Sequence, residues 1–138
     1  MSERLKPLKK KAWKLCSEYI RRKYADSSGM ARCISCGKLA HWKELQAGHL
    51  IAGRTNAILF EERGIRPQCG ACNYQEGNTV GFMIGLEKEL GKEEAQKLRD
   101  ELYALRKTTV KYSSSDYEAI ALKYQRLCLE LPDSQNNR

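Results

Sequence analysis

Cys33-Ile34-Ser35-Cys36 and Cys69-Gly70-Ala71-Cys72-Asn73, with 32 residues between the two cysteine pairs, decide how this chain folds. A two-residue gap lets a tight turn aim both sulfurs at one point. Two such turns complete a tetrahedral site of four thiolates, the coordination of structural zinc. Other uses of paired cysteines fit less well. A redox dithiol calls for one such pair in a βαβ context rather than two. A disulfide framework belongs to exported chains, whereas Met1-Ser2-Glu3-Arg4 leads into lysines with no apolar stretch behind them. The expectation is a cytoplasmic protein with reduced thiols. Four sulfurs leave no open position, so this zinc would hold the fold rather than catalyse. Cys16 and Cys128 have no paired neighbour and read as core thiols on helix faces.

Working outward from the cysteines, residues 7–25 read as a helix, with Pro7 in its first turn and Leu8, Ala12, Leu15, Cys16, Tyr19 and Ile20 on one face. Between the pairs, 45–51 and 57–60 are expected to be short strands joined by a bend at 53–56. Val80, Met83, Leu86 and Leu90 align over a helix at 72–90 that Gly91 stops, and Ala95, Leu98, Leu102 and Leu105 align over 92–107. Ser115 to Glu118 reads as a capping box opening a last helix to Leu131. The fold class is therefore α+β, a small zinc-stapled hairpin-and-helix core flanked by helices. The segments are a basic N-terminal helix at 1–28, the core at 29–91, C-terminal helices at 92–131 and a flexible tail at 132–138.

A chain of 138 residues allows one domain or two very small ones, and its longest uncharged run, Gly77 to Leu86, is too short to span a bilayer. The net charge of +8 lies wholly in the first part: residues 1–85 hold 15 Lys and Arg against 7 Asp and Glu, and 86–138 hold 10 of each. That asymmetry favours a polyanionic partner. The candidates to meet its phosphates are Lys9, Lys10, Lys11, Lys14, Arg21, Arg22 and Lys23, with Arg54 and Arg66 nearer the core.

Of two histidines, His41 reads as a surface or packing residue, while His49 follows Gly48 on an expected strand between the pairs and can present its ring edge to a substrate. Asn73 is tied to Cys72, which holds its amide oxygen in place. That oxygen suits a hard cation such as Mg²⁺, although Asn is equally a favoured helix N-cap.

The ordered set Cys33-x-x-Cys36, Gly48-His49, Arg66-Pro67-Gln68-Cys69-x-x-Cys72-Asn73 and Gly77-Asn78 resembles the NinG (Rap) recombination-protein family of lambdoid phages. The stretch from Arg63 to Gly77 also resembles phage recombination endonuclease VII, a Holliday-junction resolvase, and both look like members of the HNH, or ββα-metal, nuclease superfamily. The resemblance implies an HNH-like ββα-metal core, with His49 at the general-base position and Asn73 at the last metal-binding position. It matches Glu76 to a carboxylate near the endonuclease VII site. Gly48 stands where many HNH enzymes carry a metal-binding Asp, and Gly64 stands at the usual buttressing Asn. Glu61 or Glu62 is then a candidate second metal oxygen. The implied activity is a Mg²⁺- or Mn²⁺-dependent endonuclease cutting branched DNA, such as Holliday junctions or D-loops, by His-activated water. A junction cutter serves two strands, which favours a homodimer, and 92–107 with 115–131 could supply its interface. The competing reading is a zinc-finger DNA-binding protein with a degenerate HNH fold and no catalysis.

Overall fold

The computed structural model describes residues 2–53, 55–75 and 77–132 of the chain. Pro7 lacks a backbone N–H and so is tolerated in a first helical turn, and helix α1 runs Lys6–Lys23 with Pro7 in that place. Strands β1 (Met30–Arg32) and β2 (Leu39–His41) then form an antiparallel hairpin. Its tip is the first cysteine turn, closed by Cys33 N–H to the Lys38 carbonyl and Gly37 N–H to the Cys33 carbonyl, both at 2.8 Å.

The second antiparallel pair joins β3 (Gln46–His49) to β4 (Ile65–Gln68), with His49 opposite Ile65 and Gly48 opposite Arg66. Helix α3 (Gly70–Tyr74) follows β4 at once, with Cys69 as its N-cap. The second cysteine pair thus spans the strand-to-helix junction. Ile34 donates its N–H to the Pro67 carbonyl at 2.9 Å, docking the first cysteine turn on the strand that leads to the second.

Two expectations need correction. Residues 57–60 are not the partner strand of β3. They lie largely in helix α2 (Asn56–Leu59), whose Ile58 and Leu59 are buried, and β4 takes the partner position. A short apolar run does not by its periodicity separate a buried helical turn from a strand. The helix expected over 72–90 is two helices, α3 and α4 (Thr79–Leu90). The chain breaks between them where Gly77 (φ +80°) and Asn78 (φ +40°) adopt left-handed backbone, and the Asn78 side chain caps α4 by accepting from the Gly81 N–H. Phe82 and Leu86 form the buried row of α4, while Val80 is exposed.

Helix α5 (Lys92–Arg106) begins directly after Gly91. Helix α6 (Ser114–Glu130) opens on a capping box of Ser113 with Asp116, two residues before the expected one. Leu50, Ile51, Ile58, Phe82, Leu86, Ala95, Leu98 and Leu102 form one core cluster, and Cys16 and Ile20 of α1 pack with Ala47, Ile65 and Tyr124 in another. Much of the apolar faces of α5 and α6 is therefore used within the chain. Burial pushes the Cys16 thiol up to about 12 and the Cys128 thiol up to about 11, consistent with inert core cysteines. Among the described residues, no helix is long and apolar enough to cross a membrane. The C-terminal tail expectation falls, beyond Pro132, outside the described residues.

Candidate functional site

Cys33, Cys36, Cys69 and Cys72 converge, with their four sulfurs within 4.8 Å of one another. Sulfurs placed about 2.3 Å from a tetrahedral zinc stand about 3.8 Å apart. Cys36 Sγ and Cys69 Sγ are 3.8 Å apart, too far for a disulfide. The donor set also fits a metal. Burial works against ionising Cys33, yet backbone N–H groups of Cys69, Cys36 and Ser35 directed at its sulfur bring the thiol down to about 7. The Asn78 amide donates to Cys72 Sγ at 3.3 Å, but burial and three neighbouring sulfurs push that thiol up to about 12. Crowded sulfurs resist losing all their protons together, and a divalent cation removes that resistance. The cluster can hold a metal such as zinc.

A cavity of about 870 Å³ opens beside the cluster, lined by Trp13, Ser17 and Arg21 of α1, Gln46 and His49 of β3, and Asn73 and Tyr74 of α3, among others. His49 Nε2 lies 3.0 Å from the Leu59 carbonyl oxygen. A carbonyl only accepts, so Nε2 carries a proton; in the neutral ring the lone pair then lies at Nδ1, the form a general base needs. The Trp13 ring stacks on the imidazole at 5.1 Å between centroids and 23° between planes, which fixes its tilt. Asn73 is not the cap of α3, because Cys69 holds that place. Its Nδ2 donates to Gln46 Oε1, leaving the amide oxygen as its acceptor. His49 and Asn73 therefore face a common space, each oriented by a second residue. Sequence reasoning missed Trp13, Gln46 and the Leu59 carbonyl in these roles. The spacing of Trp13, Ser17 and Arg21 by four residues was the one available sign that a single face of α1 lines a site.

The basic candidates divide. Lys10, Lys11, Lys14 and Lys23 are exposed, and Lys10, Lys14, Ser17 and Arg21 share a helix face whose last two members line the cavity. Lys9 donates to Asn56 Oδ1 at 3.1 Å. Arg21 donates to the Trp42 carbonyl at 3.2 Å. Arg22 and Arg66 are corrections, since each is only 5 % exposed. Arg22 pairs with Glu18 at 2.6 Å and donates to the Cys128 carbonyl. Arg66 grips Glu89 through two nitrogens and donates to the Glu62, Arg63 and Ile65 carbonyls. A buried guanidinium so engaged holds the fold and does not reach a phosphate. Neither Glu61, paired with Arg63 at 2.8 Å, nor Glu62, which accepts from the Tyr124 hydroxyl at 2.9 Å, lines the cavity. Arg54 and Glu76 lie outside the described residues.

Gly48 and Gly64 each have a packing reason. A Cβ on Gly48 would stand 1.9 Å from Gln68 Oε1, and one on Gly64 would stand 2.5 Å from Leu102 Cδ1. Gln68 is fully buried, and its Nε2 donates to Ser35 Oγ at 2.8 Å and to the Gly77 carbonyl, tying the first cysteine turn to the loop before α4. Gly48→Ala should displace Gln68 and destabilise the zinc-loaded protein by about 1–3 kcal/mol, read as a lower thermal midpoint. An unchanged midpoint would show that the Gln68 contact imposes no constraint.

Comparison with known proteins bears on the whole chain. A family described as "NinG: Bacteriophage Lambda NinG protein" matches residues 2–133. "Protein ninG" of Salmonella phage P22 is 33% identical over 111 residues, which cover 75% of this chain and 49% of that protein. The chain thus spans about half the length of the curated relative it matches. No solved structure matches it.

Proposed function

The chain belongs to the bacteriophage NinG family, and on that premise we propose that it is a zinc-stabilised, divalent-cation-dependent DNA endonuclease of phage recombination, acting on branched DNA. The observation that carries this reading is the cavity that His49 and Asn73 line together, with the imidazole oriented by the Leu59 carbonyl and the amide nitrogen engaged by Gln46. The antiparallel β3–β4 pair running straight into α3 supports the HNH-like comparison.

In the proposed mechanism His49 Nδ1 takes a proton from a water, and the resulting hydroxide attacks the phosphorus of a phosphodiester in line. The Leu59 carbonyl steadies the ring as it becomes cationic, since Nε2–H already points at an acceptor. Asn73 Oδ1 would hold Mg²⁺ or Mn²⁺, since an amide oxygen suits a hard cation. The cation, when bound, neutralises charge on the phosphate and on the leaving 3′ oxygen. Arg21 on the cavity wall, half-buried and donating to Ser17 and the Trp42 carbonyl, supplies the positive charge that would attract a phosphate there.

Phosphate contacts come chiefly from Lys10, Lys11, Lys14 and Lys23. If those four neutralise four phosphates, log affinity falls against log salt with a slope of about −4. Alanine at Lys10, Lys11 and Lys14 should flatten the slope by about 3, and an unaltered slope would dismiss the α1 face as the contact surface. Two-fold pairing of copies on a junction remains part of the proposal, with exposed Leu122 and Leu129 of α6 as its apolar contacts.

One observation favours the second reading, a DNA-binding protein without catalysis: among the described residues no carboxylate lines the cavity. Incubating zinc-loaded protein with a four-way junction and with linear duplex, with and without added Mg²⁺, separates the two. Mg²⁺-dependent cutting of the junction supports the endonuclease; binding without cutting under every condition supports the alternative.

A further inference from the structure

Tyr74 stands apart from the other tyrosines of the chain. Tyr19, Tyr112, Tyr117 and Tyr124 each pack against another aromatic ring, and Tyr24 and Tyr103 each lie against cationic side chains. Tyr74 is 93 % exposed. It is the last residue of α3, directly after Asn73, and it lines the same cavity as His49 and Arg21. Cys72, two residues back, belongs to the four-sulfur cluster and ties the backbone of α3 to it. Leaving so large an aromatic surface in water lowers stability compared with burying it. An exposed aromatic face on an anchored helix, at the rim of a cavity that Arg21 also lines, suits a flat, π-faced ligand beside an anionic group. A nucleobase next to its phosphate has that chemistry.

We propose that Tyr74 stacks on the nucleobase flanking the phosphate held between His49 and Asn73, and that it selects DNA in which that base is already unpaired. The proposal rests on the endonuclease reading for the identity of the phosphate. Inside a duplex the base must first leave its stack, which costs a few kcal/mol; at a branch point or in a single strand much of that cost is absent. Tyr74 would thereby convert an electrostatic grip that is indifferent to DNA shape into a preference for branched DNA. Lys10, Lys11 and Lys14 bind the backbone of either form, and Tyr74 discriminates between them.

The test uses full-length, zinc-loaded protein without Mg²⁺, so that nothing is cut. A 2-aminopurine probe is placed at the branch point of a four-way junction and, separately, within a linear duplex. Wild type and Tyr74→Phe should both quench the junction probe, since Phe keeps the ring. Tyr74→Ala should lose the quenching and bind the junction about 5- to 150-fold more weakly while its duplex affinity is unchanged. Zinc content and thermal midpoint should match wild type, because the side chain touches so little of the fold. Quenching that survives Tyr74→Ala, or an equal loss of affinity for junction and duplex, overturns the proposal. Cleavage is then read separately after adding Mg²⁺. Ring-dependent quenching by a protein that never cuts would retire the nuclease and keep the stacking; cutting without ring-dependent quenching would do the reverse.

Discussion

His49→Ala is expected to cut a four-way junction about 10²–10⁴-fold more slowly than wild type in the presence of Mg²⁺, the range for loss of a general base. Junction affinity and zinc content should stay at wild-type levels. The separation is possible because His49 belongs to neither the cysteine cluster nor the basic face of α1. Its ring does stack on Trp13 and donate to the Leu59 carbonyl, so truncation also removes packing. His49→Gln addresses that concern: it keeps a polar side chain of similar reach and lacks a basic nitrogen, and it should be as slow as the alanine variant. Asn73→Ala should also be slow, with partial recovery at raised Mg²⁺ if the amide serves only as a ligand. Undiminished cutting by either His49 variant would remove the imidazole from the chemistry.

The second large effect concerns the metal cluster. Structural zinc contributes about 10–16 kcal/mol to folding in zinc-finger peptides, comparable with the whole stability of an ordinary domain, about 5–15 kcal/mol. The hydrophobic cluster around the cysteines is also made largely of small side chains, with Ala25, Ala31 and Ala40 beside Trp42 and Leu45. Such a cluster has little apolar area to stabilise itself. Cys69→Ala should therefore bind zinc far more weakly and lower the thermal midpoint by more than about 15 °C. Chelation of the wild type should do the same. Cys69 is the sharpest choice, since it also caps α3, the helix that carries Asn73. The α1–α6 packing involves none of the four cysteines and should retain helical signal after the core has opened. One equivalent of zinc lost with no change in midpoint would contradict a structural role.

The cysteine spacing made the staple legible, and helical periodicity placed α1, α5 and α6 within a few residues. What the sequence concealed has physical causes. The partner of β3 was misassigned because four apolar residues at 57–60 look the same whether they bury as a helical turn or as a strand. The true partner, Ile65-Arg66-Pro67-Gln68, contains a proline and two polar side chains, yet all four residues are buried. Gln68 and Arg66 are buried because the fold brings acceptors to each from distant segments, Ser35 and Glu89, a circumstance invisible in composition. The same holds for Arg22, which donates to the Cys128 carbonyl of α6. Within the candidate site His49 and Asn73 stood out by their neighbours in sequence. Trp13 and Gln46, which orient them, are brought in by the tertiary packing of α1 on β3 and of α3 on β3.

In the proposed site a metal-bound sulfur cluster would hold the scaffold, and a second cation would bind in the cavity between the Asn73 amide and the His49 imidazole. Anomalous scattering from crystals of the zinc-loaded protein soaked in Mn²⁺ tests it most directly. The account predicts a zinc peak amid the sulfurs of Cys33, Cys36, Cys69 and Cys72, and a separate manganese peak within coordinating distance of Asn73 Oδ1 on the side facing His49. Zinc in place with no manganese in that cavity, or manganese bound only at surface carboxylates, would contradict it.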